Sequence, residues 1–266
     1  MKRALGRQEA QLLAYLQMRG QRTVRTGELT GPLRLSRLQE RELFRRMARG
    51  CLIARVRPGL YLVPRQLPLG GAWTPDETLA LNTLMEDRGG RYQICGPNAF
   101  SRFGFDEQVP SRVYAYNNRI SGQRTIGAVA LGLIKVADER LGEVERAVTP
   151  EGLVAVYSSR VRTLVDAVND WSRFNSLPRA FTWIREDLAA GRVDTSDLAR
   201  VTLRYGDVGA IRRIGALLER EGVSPRVTGR LQRALAPTTA TIPWVPARPK
   251  RGTLDRRWGV VWNDRD

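Results

Sequence analysis

Apolar positions recur at helical spacing near the start of the chain. Leu5, Leu12, Leu13 and Leu16 share one face of a helical wheel through Gln8 to Arg19, and Gly20 stands where a C-terminal stop belongs. Val24 reads as a short extended element. Thr26 is placed to cap a second, brief helix with Glu28 in its first turn, and Gly31-Pro32 breaks it. Ser36-Arg37-Leu38-Gln39 is a capping-box pattern: the Ser hydroxyl satisfies the N3 amide while the Gln side chain reaches back. The helix it opens is predicted to run to Arg49 and end at Gly50. Leu43, Phe44 and Met47 cluster on its inner face. Leu38, Arg41, Glu42, Arg45 and Arg49 point the other way, with Arg37 and Arg46 flanking. Two β-rich runs, Cys51 to Val56 and Leu60 to Val63, flank an Arg57-Pro58-Gly59 turn and read as a hairpin.

Residues from Leu67 to Trp73 form a Pro/Gly-containing linker, after which Thr74-Pro75-Asp76-Glu77 opens a helix, with Pro predicted at its first position. Leu79, Leu81, Leu84 and Met85 carry that helix to Arg88-Gly89-Gly90. Four β-leaning stretches follow: Tyr92–Cys95, Arg112–Tyr116, Ala128–Val136 and Leu153–Tyr157. From Arg160 the period becomes helical, through Val161/Leu164/Val165/Val168, then Ala180 to Ala189, Ser196 to Leu203, Val208 to Glu221 and Pro225 to Leu235. Sheet first and helices second predicts an α+β protein. Pro237, Pro243, Pro246 and Pro249 make the last thirty residues an extended arm, with a final strand over Trp258 to Trp262. The arm's Arg248-Pro249-Lys250-Arg251-Gly252 lacks a Gly-Arg-Pro minor-groove hook, so wrapping its own domain or a partner subunit is the expectation. The expected division is residues 1–66, 72–236 and an arm over 237–266.

Charge sharpens this picture. The 266 residues carry a formal net charge of +17 from 44 Lys and Arg against 27 Asp and Glu, and only Lys2, Lys135 and Lys250 are lysines. Residues 1–65 hold 15 of the basic residues and 4 of the acidic ones. That first quarter therefore carries most of the excess, while the middle of the chain is nearly balanced. A uniform genomic bias towards Arg does not explain this concentration, and a polyanion partner does.

Three helices followed by a small hairpin is the order of a winged helix-turn-helix. Its third helix fits the ~12 Å major groove, and the second helix and wing hold phosphates. Ser36, Arg37, Gln39 and Arg41 lie at or near the start of that recognition helix. Arg37, Gln39 and Arg41 are the base-edge candidates, because Arg suits guanine and Gln suits adenine through bidentate pairs. Arg25, Thr26 and Arg45 are phosphate candidates, and Arg57 sits at the wing tip. The competing use of these arginines is a solvated face paired with Glu40 and Glu42.

Catalytic chemistry is sparse. Histidine is absent, which removes Ser-His-Asp and Cys-His catalysis and His-ligated zinc. Cys51 and Cys95 are too few for a Cys-only zinc site or a disulfide framework, and read as packed thiols of a reduced cytoplasmic protein. No phosphate-binding glycine loop or nucleophile elbow is present. Asp166 and Asp170 lie four apart on a predicted helix, but Arg162 and Arg173 make salt bridges their expected use. A D-x-D at Asp264-Arg265-Asp266 falls at the chain end, where fraying opposes a metal site. Met1-Lys2-Arg3 does not open a signal peptide, because Arg7, Gln8 and Glu9 interrupt it. The longest nearly apolar run, Ile126 to Ile134, is far short of the ~20 residues a spanning helix needs. No catalytic residue, metal, cofactor or membrane is expected.

A winged helix ending Leu43-Phe44-Arg45-Arg46-Met47-Ala48-Arg49-Gly50 and closing with Pro58-Gly59-Leu60-Tyr61-Leu62-Val63-Pro64 resembles the bacterial AbiEi antitoxins. Further stretches are similar to the same family's second domain: Tyr92 to Phe100, Val113 to Arg119, Arg162 to Ala167, Ile211 to Gly215 and Arg257 to Asn263. The resemblance implies a DNA-binding autorepressor and antitoxin of a type IV, abortive-infection system. Such a protein binds inverted repeats of double-stranded DNA in its own promoter, which suits a homodimer on DNA. It neutralises a nucleotidyltransferase-like toxin without forming a stable complex with it. The toxin's own Gly-Ser signature is missing, which favours the antitoxin side of the pair. The alternatives are a ligand-responsive regulator and a DNA-targeted nuclease.

Overall fold

The computed structural model describes residues 5–67 and 71–264. The N-terminal region contains α1 (Arg7–Met18), β1 (Thr23–Arg25), α2 (Arg37–Arg49), β2 (Ala54–Arg57) and β3 (Leu60–Leu62). Next come α3 (Glu77–Asp87), β4 (Tyr92–Ile94), α4 (Pro97–Arg102), β5 (Val113–Asn117), β6 (Gly122–Ile126), β7 (Val129–Lys135), β8 (Val144–Val148) and β9 (Val154–Ser158). A helical stretch follows: α5 (Arg160–Asn169), α6 (Trp171–Phe174), α7 (Arg179–Ala189), α8 (Thr195–Tyr205), α9 (Val208–Arg220) and α10 (Pro225–Arg233). The chain closes with β10 (Ile242–Pro243), β11 (Thr253–Asp255) and β12 (Val260–Trp262). The protein is α+β. Among the described residues no helix is long and apolar enough to cross a membrane.

The chain packs as two units. One takes the residues up to Tyr92 with Ser111–Ala137 and Val148–Ala155, and the other takes Gln93–Pro110, Asp138–Ala147 and Val156 onward. In the first unit, α1 and α2 bury Leu12, Leu16, Leu43, Phe44 and Met47 against Val24 and Tyr61. Each such side chain contributes ~1.5–3 kcal/mol on full burial. β3 lies between β1 and β2 and pairs antiparallel with both. Gly59 turns the hairpin at φ +83°, a value L residues rarely adopt. Elsewhere in this unit β7 lies between β6 and β5, antiparallel to the first and parallel to the second.

Local differences from the sequence reading have physical causes. Leu5 precedes α1 and is exposed. The brief helix expected from Thr26 is a run of turns, with Gly27 at φ +105° and Arg34 at φ +51°. Its amides are satisfied from α2, because the buried Glu40 carboxylate accepts from Gly27 N at 2.6 Å and Leu29 N at 2.9 Å. Asp76, not a residue before Pro75, caps α3, accepting from the amides of Thr78 and Leu79. Cys95 is buried, whereas Cys51 is exposed just after α2 at φ +54°. Part of the expected linker, residues 68–70, lies outside the described residues.

In the second unit β4 pairs parallel with β9 at Ile94 and Tyr157, and β8 flanks β9. Helices α5, α7, α8, α9 and α10 form its bulk. Arg162 and Asp166 on α5 are wholly buried and paired at 2.8 Å. The guanidinium stacks 3.9 Å from the Tyr205 ring centroid and donates to the carbonyls of Arg140 and Gly142. Burial pushes the Asp166 carboxyl up to about 6, against the opposing pull of Arg162. The C-terminal segment folds as β10-β12-β11, and the Trp244 ring stacks on Phe181. The buried Trp258 sits so close to Gly215 that no Cβ fits there.

Candidate nucleic-acid interface

Helix α2 forms as its capping box requires. Ser36 Oγ accepts from Gln39 N at 3.2 Å, and Gln39 Oε1 accepts from Ser36 N at 2.8 Å. Two of the candidate residues are therefore occupied in holding the helix start. A bidentate grip on an adenine edge needs both amide atoms of a glutamine. Gln39 has its oxygen committed and offers only Nε2.

The arginines fall into two groups. Arg37, Arg41, Arg45 and Arg49 recur every four residues along α2 and all are exposed. Four residues rise ~6 Å along a helix, so these guanidiniums form a ladder along one side. Glu42 pairs with Arg45 at 3.1 Å, but Glu40 faces inward and caps the preceding turns. Half of the pairing scheme that would have neutralised the ladder is thereby removed. Arg37, Arg41 and Arg49 make no hydrogen bond or ion pair among the described residues.

A groove of about 640 Å³ lies between α2 and the hairpin, lined by Arg41, Arg45, Arg49 and Arg55 with Thr26, Ala48, Pro58, Gly59 and Tyr61. Four arginines line it, and no acidic residue is among the described residues that do. Such a cleft is suited to an anion that several planar, five-donor groups can grip together. Thr26 anchors its rim, with its backbone N donating to Gly59 O at 3.0 Å. Arg49 and Arg55 were not among the candidates from sequence. The continuation of the four-residue period to Arg49 was a legible signal; the approach of Arg55 depends on how the hairpin docks on α2.

Arg25 and Arg57 belong to the second group. Both are held by Asp87 at the end of α3, Arg57 by two bonds of 2.6 Å and Arg25 by one of 3.2 Å. Arg57 Nη1 also donates to Pro58 O within its own turn. The two guanidiniums hold the Asp87 carboxyl below the usual carboxylate range, with Arg57 the main cause. Leu38, at the outer end of α2, is 70% exposed beside Arg37.

Among the described residues no group of three or more acidic or cysteine side chains is arranged to hold a metal ion. Asp166 is consumed by Arg162, and Asp264 accepts from Arg220 at 3.1 Å; Arg265 and Asp266 lie outside the described residues. A cavity of about 470 Å³ in the second unit is lined by Glu219, Arg220, Asp255, Trp262 and Asp264. Its carboxylates already have partners: Glu219 bonds Arg257 and the Trp258 indole, and Asp255 accepts from Trp258 N.

No family model matches the chain, and no curated protein matches it. Among solved structures, the Rv2827c protein from Mycobacterium tuberculosis is similar in fold, with a TM-score of 0.63 and 16% identity. The match covers 97% of this chain and 92% of that one.

Proposed function

We propose that the protein is a DNA-binding transcriptional autorepressor and antitoxin of the AbiEi type, with a winged helix-turn-helix as its reading head. One observation carries the DNA-binding part: the ladder of exposed arginines on α2 continues into a carboxylate-free groove against the hairpin. In this reading α2 enters the major groove of the promoter. Arg37 and Arg41 address base edges, and the exposed Leu38 offers apolar contact to thymine methyls. Arg45, Arg49 and Arg55 hold the backbone, and the hairpin of β2 and β3 is the wing. Two protomers occupy an inverted repeat.

The antitoxin part rests on the sequence resemblance alone. It assigns the cognate nucleotidyltransferase-like toxin as a functional partner that forms no stable complex with this protein.

The test is a fluorescence-anisotropy titration of the full chain into its own upstream DNA and into a scrambled duplex at ~0.15 M salt. A preference of ~10³-fold or more supports a specific repressor. Equal, weak, salt-sensitive binding to both duplexes overturns it.

A further inference from the structure

The charge of the hairpin is set by a residue outside it. Asp87, the last residue of α3, places its two carboxylate oxygens against the guanidiniums of Arg57 and Arg25 at 2.6, 2.6 and 3.2 Å. The Asp87 side chain is only 5% exposed, while those of Arg57 and Arg25 are 35% and 52% exposed. The anion is thus enclosed and the cations face outward. A carboxylate and a phosphate present the same paired-oxygen geometry to a guanidinium, so Asp87 holds the position a backbone phosphate would take.

We infer that Asp87 is an internal counter-anion that limits Arg25 and Arg57 together to one DNA phosphate contact instead of two. Two cations sharing one carboxylate retain a single net positive charge, and each phosphate neutralised adds about 0.9 to the slope of binding against salt. Phosphate contacts are sequence-independent. Asp87 therefore trims the part of the affinity that any duplex receives and leaves base readout by α2 untouched. The inference rests on the DNA-binding reading above.

The experiment measures log Kobs against log[salt] over ~0.05–0.2 M for the full chain on a mixed-sequence duplex. Asp87→Asn keeps the side-chain shape and removes the charge, and it is expected to steepen the slope by about 0.9. Glu86→Gln makes the same change of formal charge one residue away, with no bond to either arginine, and is expected to leave the slope unchanged. An unchanged or shallower slope in a folded Asp87→Asn protein overturns the inference. So does an equal steepening by Glu86→Gln.

Arginine variants give a second measurement that does not depend on Asp87→Asn folding. Arg25→Ala and Arg57→Ala should each flatten the slope by about 0.9, and the double variant by about 0.9 as well. Additive flattening near 1.8 means two independent contacts and overturns the inference while leaving DNA binding intact. A wild-type chain that binds no duplex at the lowest salt overturns both.

Discussion

The same residue type serves two purposes in the molecule. In the second unit many arginines are structural cations, while Arg226, Arg230 and Arg233 on α10 are exposed without an ion pair among the described residues. Arg162 is buried on Asp166, Arg160 and Arg192 share Asp187, Arg200 bridges Glu143 and Asp197, and Arg185 meets Glu221. On α2 and the hairpin, Arg37, Arg41, Arg49 and Arg55 are exposed and lack such partners among the described residues. The comparison teaches that net charge alone is a poor guide to function. A buried, paired guanidinium contributes to +17 without being presented to anything outside, whereas an unpaired exposed one is available to a polyanion.

The largest effect should come from breaking a paired arginine. Asp166→Ala leaves the buried Arg162 charge uncompensated, and urea unfolding is expected to show a loss of ~3–5 kcal/mol. The pair also has a pH signature. The folded-state value for Asp166 is about 6, above its ordinary value, so the folded state binds the proton more tightly than the unfolded one. This group's contribution to stability is fully present below the ordinary carboxylate value and is lost as pH rises through about 6. Asp166→Asn should remove that dependence. An unchanged pH profile would show that burial of the carboxyl is not its cause.

Much of this division was readable in sequence. The capping box at Ser36 and Gln39 and the inner face of Leu43, Phe44 and Met47 gave α2 its boundaries. The Arg57-Pro58-Gly59 turn gave the hairpin. Local chemistry and periodicity suffice for such elements. The turns over residues 26–35 were not legible, because their amides are satisfied by Glu40 from a helix later in the chain. Strands β6 and β8 also escaped: β6 is polar and almost wholly exposed, and β8 alternates without a buried face. Each pairs on one side only, so neither shows the buried alternation that marks a strand. At the candidate interface, the ladder on α2 was visible as a spacing. Its completion by Arg55 and the pairing of Arg25 and Arg57 with Asp87 were not, since both depend on tertiary approach.

A smaller effect sharpens the comparison from the α2 side. Ser36→Ala removes the hydroxyl that accepts from Gln39 N and should cost ~1 kcal/mol. The bond from the backbone N of residue 36 to the Gln39 oxygen is retained, so only one half of the box is lost. Thermal unfolding measures the loss. A loss well below ~0.5 kcal/mol would mean that tertiary packing alone fixes the start of α2.

The most direct test of the account compares two variants of equal total charge that differ only in where the charge is removed. One triple variant replaces Arg41, Arg45 and Arg49 by Gln; the other replaces Arg179, Arg185 and Arg200, which are ion-paired in the second unit. Both lower the formal charge of +17 by the same three units. With duplex DNA, the first should flatten the salt slope by roughly 2–3 and the second should leave it unchanged. Equal flattening in the two variants would contradict the account, because binding would then follow net charge rather than the presented arginines of α2.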